Sequence, residues 1–228
     1  MQVSNAIFGS AIKNYLEQGD KEPIKVFYQG FDEDIIEPAY LVREYNQWPY
    51  LEKLAIERCY GNVLEIGSLF GVHAKHLKQK KINVECCEID PLAGEALSKE
   101  FVVHKGDAFK IDFQKKYDCI LILMNGLGIL ESYEQAGTKI KHLLSLLNEN
   151  GKIIADSSYL EFLSDENEDY PNGEVPYHME YKTLKSANQK WLFLSLSDLN
   201  RLSEEHKFSF ELLAYDEENH HYLVEITK

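Results

Sequence analysis

The residues best suited to chemistry in this chain stand where a short apolar run meets a glycine bend. Val63-Leu64-Glu65-Ile66 leads directly into Gly67-Ser68-Leu69-Phe70-Gly71. Glycines at such a junction let the backbone adopt angles closed to other residues and pass close to a ligand. Glu88 ends the next apolar run about 20 residues later, where a carboxylate can accept both hydroxyls of a ribose. A third acid, Asp107 of Gly106-Asp107-Ala108-Phe109, follows the next run and suits an exocyclic amine such as that of adenine. Three acids in this order describe a nucleoside site.

The type of nucleoside follows from what the loop lacks. A dinucleotide fingerprint needs G-x-G-x-x-G to seat a pyrophosphate at a helix N-terminus. Here Leu69 stands at the middle glycine, and Glu65 precedes the loop with a charge that opposes phosphate. No Walker-type loop is present. An acid before the bend suits a cationic amino-acid group. S-adenosylmethionine carries an amine and a sulfonium and no phosphate, so electrostatics favour it over a nicotinamide dinucleotide.

These acids need strands and helices to hold them. Gly71–Lys80 has helical spacing, with Val72, Ala74 and Leu77 apolar. Ile82–Ile89 is rich in β-formers, Pro91 suits a first helical turn, and Phe101–Val103 is a third short strand. Asp118–Met124 is almost wholly apolar, as a central parallel strand covered on both faces must be. Glu131–Leu147 carries Tyr133, Ala136, Ile140, Leu143, Leu144 and Leu147 on one helical face; Asn150-Gly151 is read as its end, and Lys152–Ala155 as the next strand. Alternation at this pace means βαβ units. Beyond Asp156 the pattern changes. Glu161 to Glu174 holds six acids and no base and reads as an exposed loop. Val175–Lys182 and Lys190–Ser195 read as strands, Leu196–Glu205 as a helix, and Phe208–Tyr215 with Tyr222–Thr227 as a hairpin. The expected architecture is a doubly wound, mostly parallel seven-stranded α/β sheet with an antiparallel C-terminal hairpin and a small inserted lid. Residues 1–48 are expected to form a cap of short helices and loops. Residues 49–228 are expected to form the cofactor-binding domain, with an insertion at about 157–195.

Composition narrows the partners. A net charge of −14 repels a phosphate backbone, since nucleic-acid affinity comes largely from Lys and Arg replacing counterions. The same field disfavours anionic membranes. No apolar stretch approaches the length of a membrane span, and Met1–Ser10 shows no signal-peptide pattern. Cys59, Cys86, Cys87 and Cys119 form no CxxC pair and read as reduced small hydrophobes of a cytoplasmic protein.

Five pieces in order, VLEIGSLFG, ECCEIDP, GDAF, YDCILILMNGLG and LLNENGKIIADSS, make residues 62–156 resemble a class I S-adenosylmethionine-dependent methyltransferase, similar to bacterial small methyltransferases of undefined substrate. The resemblance implies a Rossmann-like fold and roles for residues. Glu65 holds the methionine amine, while Gly67, Ser68 and Gly71 line the methionine portion. Glu88 binds the ribose with Ile89 beside the adenine, and Asp107 and Ala108 contact the adenine. Met124, Asn125 and Gly126 approach the sulfonium and the acceptor. The family's usual loop is (D/E)xGxGxG; Leu69 departs from it, and a leucine, not being β-branched, still fits if its φ is negative.

Methyl transfer is an in-line displacement accelerated mainly by alignment, so no catalytic triad is required. The place after the fourth strand reads Met124-Asn125-Gly126-Leu127, unlike the Asn/Asp-Pro-Pro-aromatic of many amine methylators. Asn125, Asp156 and Tyr177 are the candidates for catalysis; Tyr40, Arg43 and Tyr159 are the candidates for substrate contact. The blander alternatives are a turn for Asn125 and packing for Tyr177. For Asp156 it is a loop hydrogen bond, and for Arg43 an exposed surface position. His73 follows the loop and is a candidate cofactor contact, whereas His76 is read as solvated. Metal ligation is not expected, because no third ligand accompanies this i, i+3 pair. A small-molecule methyltransferase is the leading reading. The rivals are a degenerate cofactor-binding or protein-interaction protein on the same fold and a nicotinamide oxidoreductase.

Overall fold

The computed structural model describes residues 6–159 and 170–228, so most of the acidic run, residues 161–169, lies outside the described residues. In chain order the helices are α1 Ile7–Gln18, α2 Pro38–Leu41, α3 Tyr50–Arg58, α4 Val72–Gln79, α5 Pro91–Leu97, α6 Tyr133–Ser145 and α7 Leu196–His206. The strands are β1 Ile24–Tyr28, β2 Asp34–Ile36, β3 Asn62–Ile66, β4 Asn83–Glu88, β5 Val102–Lys105, β6 Tyr117–Ile122, β7 Leu147–Ser158, β8 Glu174–Tyr181, β9 Leu184–Lys185, β10 Gln189–Leu192, β11 Ser209–Asp216 and β12 His221–Thr227.

Seven strands form the main sheet in the order β11-β12-β7-β6-β3-β4-β5. From β3 the chain steps out through β4 to β5, then returns on the other side of β3 through β6 to β7, the doubly wound reversal. The sheet is mostly parallel, as in the β4–β5 and β6–β7 pairs. It ends in the expected antiparallel hairpin, with β12 antiparallel to both β7 and β11. A second sheet runs β10-β8-β1-β2, with β9 paired to β8.

By compactness the chain divides into two units. The first comprises Met1–Trp48, Glu65–Ile111 and Pro176–Gln189. Here Cys86 and Cys87 point to opposite faces of β4 and both are buried, so both faces are covered. Asp90 caps α5 by accepting from the Leu92 and Ala93 amides, with Pro91 in the first turn. Its second oxygen accepts the Gly9 amide at 2.7 Å, fastening α1. The leading segment, read as helices and loops, also supplies β1 and β2. The reason is alternation: Ile24 and Val26 are buried, and Lys25 pairs across to Glu180 of β8. The inserted strand β8 thus pairs with the start of the chain.

The second unit comprises Pro49–Leu64, Asp112–Val175 and Lys190–Lys228. Cys119, Ile120, Leu121 and Ile122 of β6 are all buried, which accounts for its apolar sequence. Helix α6 buries Ala136, Ile140, Leu143 and Leu144, the predicted face. Asn150-Gly151 does not end this helix; it lies inside β7. A Cβ on Gly151 would fall 2.9 Å from the Tyr117 carbonyl, so glycine serves close strand approach there.

Candidate functional site

In the first unit the glycine bend has the strained geometry its sequence suggests. Gly67 and Gly71 have φ of 77° and 74°. Leu69 also lies in the left-handed region, at φ 44°. The condition under which a leucine would fit without strain, a negative φ, is therefore not met. For a residue with a Cβ this conformation costs about 1–2 kcal/mol. The offset is visible: the Leu69 amide donates to Glu88 Oε2 at 2.6 Å, a hydrogen bond to a buried carboxylate. Glu88 Oε1 accepts the Asp90 amide at 2.7 Å. Burial pushes the Glu88 carboxyl up to about 7, against the Asp90 and Leu69 amide bonds that pull it down. Ile89 beside it is 52% exposed, an apolar surface at the strand end.

Glu65, at the end of β3, is 3% exposed. Its Oε1 lies 3.2 Å from His73 Nδ1; a carboxylate has no proton to give, so the contact places the hydrogen on Nδ1. Its Oε2 is buried with no hydrogen-bond partner among the described residues. Such an oxygen is costly unless something completes it. A Cβ built on Gly67 would meet nothing within 4 Å, so the bend faces open space. At Gly71 the added carbon would come within 2.7 Å of Leu97, so that glycine serves packing of α4 on α5. Ser68 is buried and donates its hydroxyl to the Glu65 carbonyl at 2.9 Å, bracing the loop from inside.

Asp107 accepts the Phe109 amide and pairs with Lys110 at 2.8 Å, a turn-forming role; Ala108 beside it is buried. His76 is half-buried, and its ring stacks on Tyr45 with centroids 4.2 Å apart. Arg43 is not a surface residue either. It is buried, with its guanidinium 3.7 Å from the centroid of the Tyr40 ring, while Tyr40 itself is 48% exposed. Tyr177 is buried against Tyr28, with ring centroids 5.8 Å apart, so its position is one of packing within the second sheet.

In the second unit, residues 124–126 form a tight turn. Met124 and Asn125 have φ of 68° and 60°. Asp156, fully buried, accepts the Gly126 amide at 2.7 Å and the Met124 amide at 3.1 Å. His221 Nε2 lies 2.9 Å from its Oδ2. Burial disfavours the His221 charge, but the Asp156 bond and the carboxylates of Asp156, Asp216 and Glu52 outweigh it, so its pKa is raised. Asn125 Oδ1 accepts the Ser158 amide at 3.0 Å. Tyr159 is half-buried, with its amide on the His220 carbonyl at 2.8 Å. Sequence reasoning missed His221, whose signal was its place at the start of a strand antiparallel to β7, near the register of Asp156. It also missed Trp48, which had no sequence signal.

Comparison with known proteins joins the geometry to a class. No protein-family model and no curated protein matches the chain. Solved structures do. A SAM-dependent methyltransferase from Bacteroides fragilis, in complex with S-adenosyl-L-homocysteine, is 28% identical, with a TM-score of 0.89 over 100% of this chain and 96% of that one. The sugar N-methyltransferase KedS8 from Streptoalloteichus is 15% identical, with a TM-score of 0.57 over 78% of this chain and 85% of that one. SAM-bound CalS10, an amino pentose methyltransferase from Micromonospora echinaspora, is 12% identical, with a TM-score of 0.55 over 78% and 90% of the two chains. The last two show likeness of fold alone. The topology and the full-length likeness to the Bacteroides fragilis protein make the chain similar to S-adenosylmethionine-dependent methyltransferases.

Proposed function

We propose that this chain uses S-adenosylmethionine to methylate a small-molecule acceptor. The observation that carries the cofactor reading is Glu65: a buried carboxylate with one unpartnered oxygen beside a glycine whose outer face is open. An α-amine completes that oxygen. A diphosphate does not fit, because the loop sits beside two buried carboxylates, Glu65 and Glu88, and the Leu69 amide is already given to Glu88. Glu88 has lone pairs left for a ribose diol, with Ile89 flanking the base. Gly67 and Ser68 shape the methionine portion, and Asp107 and Ala108 lie on the adenine side. The bound cofactor supplies an activated methyl group; the protein's own work is to hold it and to align the acceptor.

Within the second unit, Asp156 is too deeply buried to take a proton from a substrate. It holds the 124–126 turn and orients His221, whose half-exposed imidazole is the proton acceptor this unit offers. Asn125 has its amide NH2 to orient the acceptor, since its carbonyl is used on Ser158. Tyr40, Arg43 and Tyr159 remain substrate-side candidates. Among the described residues no helix is long and apolar enough to cross a membrane, and a cytoplasmic location is part of this reading.

Isothermal calorimetry with S-adenosylmethionine, S-adenosylhomocysteine and NADH tests the proposal. Saturable heat with the first two and none with NADH is expected; the reverse pattern overturns it.

A further inference from the structure

The residue behind Glu65 is held as firmly as Glu65 itself. His73, in the first turn of α4, is 4% exposed. Its Nδ1 meets Glu65 Oε1 at 3.2 Å. The ring is closed by Trp48, packed edge-on with centroids 4.6 Å apart. Trp48 is in turn fixed by its indole N–H, which donates to the Arg43 carbonyl at 3.1 Å. Tyr45 and His76 stack beside it. A carboxylate that is held on one oxygen only presents the other in a single direction. Preorganisation of this kind strengthens a charged hydrogen bond, because the ligand need not order the acceptor on arrival.

We propose that His73 is a positioning residue. Clamped by Trp48, it holds Glu65 Oε1 so that Oε2 is aimed at the amino-acid amine of the cofactor, and it acts through Glu65 rather than by touching the ligand. This rests on the cofactor reading above. It also gives the leading segment, residues 43–48, a task at the site: they close the far side of the His73 ring.

The test compares two ligands on the full chain. S-adenosylhomocysteine carries the amine; 5′-methylthioadenosine keeps the nucleoside thioether and lacks the amino-acid portion. Calorimetry on His73→Leu should show S-adenosylhomocysteine weakened about tenfold or more, with methylthioadenosine changed less than about twofold. His73→Asn, whose amide N–H can reach toward Oε1, should recover most of the loss. Glu65→Gln should show the same selective loss, and His73→Leu added to it should cost little more, since the two residues act as one unit. Thermal melts of each variant check folding, and the methylthioadenosine arm reports an intact nucleoside site. Two outcomes overturn the proposal: S-adenosylhomocysteine affinity unchanged in His73→Leu, or both ligands weakened alike in His73→Leu and His73→Asn, which marks a merely structural histidine. Wild-type protein that takes up neither ligand instead overturns the cofactor reading, and this inference with it.

Discussion

The bend at residues 67–71 and the turn at 124–126 are built on one plan and finished differently. Each follows a strand, each has non-glycine residues in the left-handed region, and each gives backbone amides to a buried carboxylate. In the first, Glu88 takes the Leu69 amide; in the second, Asp156 takes those of Met124 and Gly126. The second is closed: both Asp156 oxygens are engaged, and a Cβ on Gly126 would come 2.9 Å from Ile122 and 3.3 Å from Asp156. The first is open, with one Glu65 oxygen unpartnered and Gly67 facing nothing within 4 Å. Full satisfaction marks a structural joint, and a deliberate deficit marks a place for a ligand. Mutations should therefore damage the two places in different measurable ways.

The largest effect belongs to the closed turn. Asp156→Ala orphans two amides and strips His221 of its partner, so it should cost about 3–5 kcal/mol of stability. For a chain of this size the melting temperature should fall by roughly 6–20 °C. A loss below 1 kcal/mol would show that the turn does not depend on Asp156.

At the open bend the damage should fall on binding instead. Glu65→Gln and Glu88→Ala should each weaken S-adenosylhomocysteine by roughly 1–3 kcal/mol in calorimetry. Glu88→Gln should also carry an opposite mark on stability. The carboxyl titrates near 4.5 when unfolded and about 7 when folded. The folded chain thus holds the extra proton between those values, and its stability falls as pH rises across that window. Glu88→Gln should remove this slope and stabilise the ligand-free protein at pH 8 by about 1–3 kcal/mol. An unchanged slope in denaturant titrations would remove the buried-acid account.

His221 gives a slope of the same sign for a different reason, a charge that is paired rather than a charge that is buried. Its folded pKa lies above its ordinary 6.5, so its pairing supports the fold below that value and fades as pH rises through the raised one. His221→Gln should flatten this part of the stability profile, and histidine NMR should show the raised titration disappear in Asp156→Asn. The smallest effect is expected at Leu69. Its contribution is its amide, so Leu69→Gly should bind cofactor like the wild type. Its stability should change by no more than about 1 kcal/mol, because relief of left-handed strain is offset by a more flexible unfolded chain.

Much of this was legible in the sequence. The apolar runs at Val63–Ile66, Ile82–Ile89 and Asp118–Met124 and the helical face over Ala136–Leu144 fix a doubly wound sheet by periodicity, and Glu65, Gly67 and Glu88 follow from their places at strand ends. What local pattern does not carry is which atoms a tertiary neighbour uses up. Leu69 reads as a flaw in a glycine loop until Glu88 is seen to hold its amide. Arg43 reads as a surface residue until it is found buried with its guanidinium over the Tyr40 ring. Asp156 reads as a base until the Met124 and Gly126 amides are found on it. The β1–β8 pairing spans about 150 residues of sequence separation, and no short window contains it.

The central claim is that the open bend receives a cationic, phosphate-free nucleoside. A crystal structure of the protein with S-adenosylhomocysteine tests it most directly. The account predicts the ligand's amine within hydrogen-bonding distance of Glu65 Oε2 and its ribose hydroxyls on Glu88. A ligand bound elsewhere, with Glu65 Oε2 still unpartnered, would contradict it.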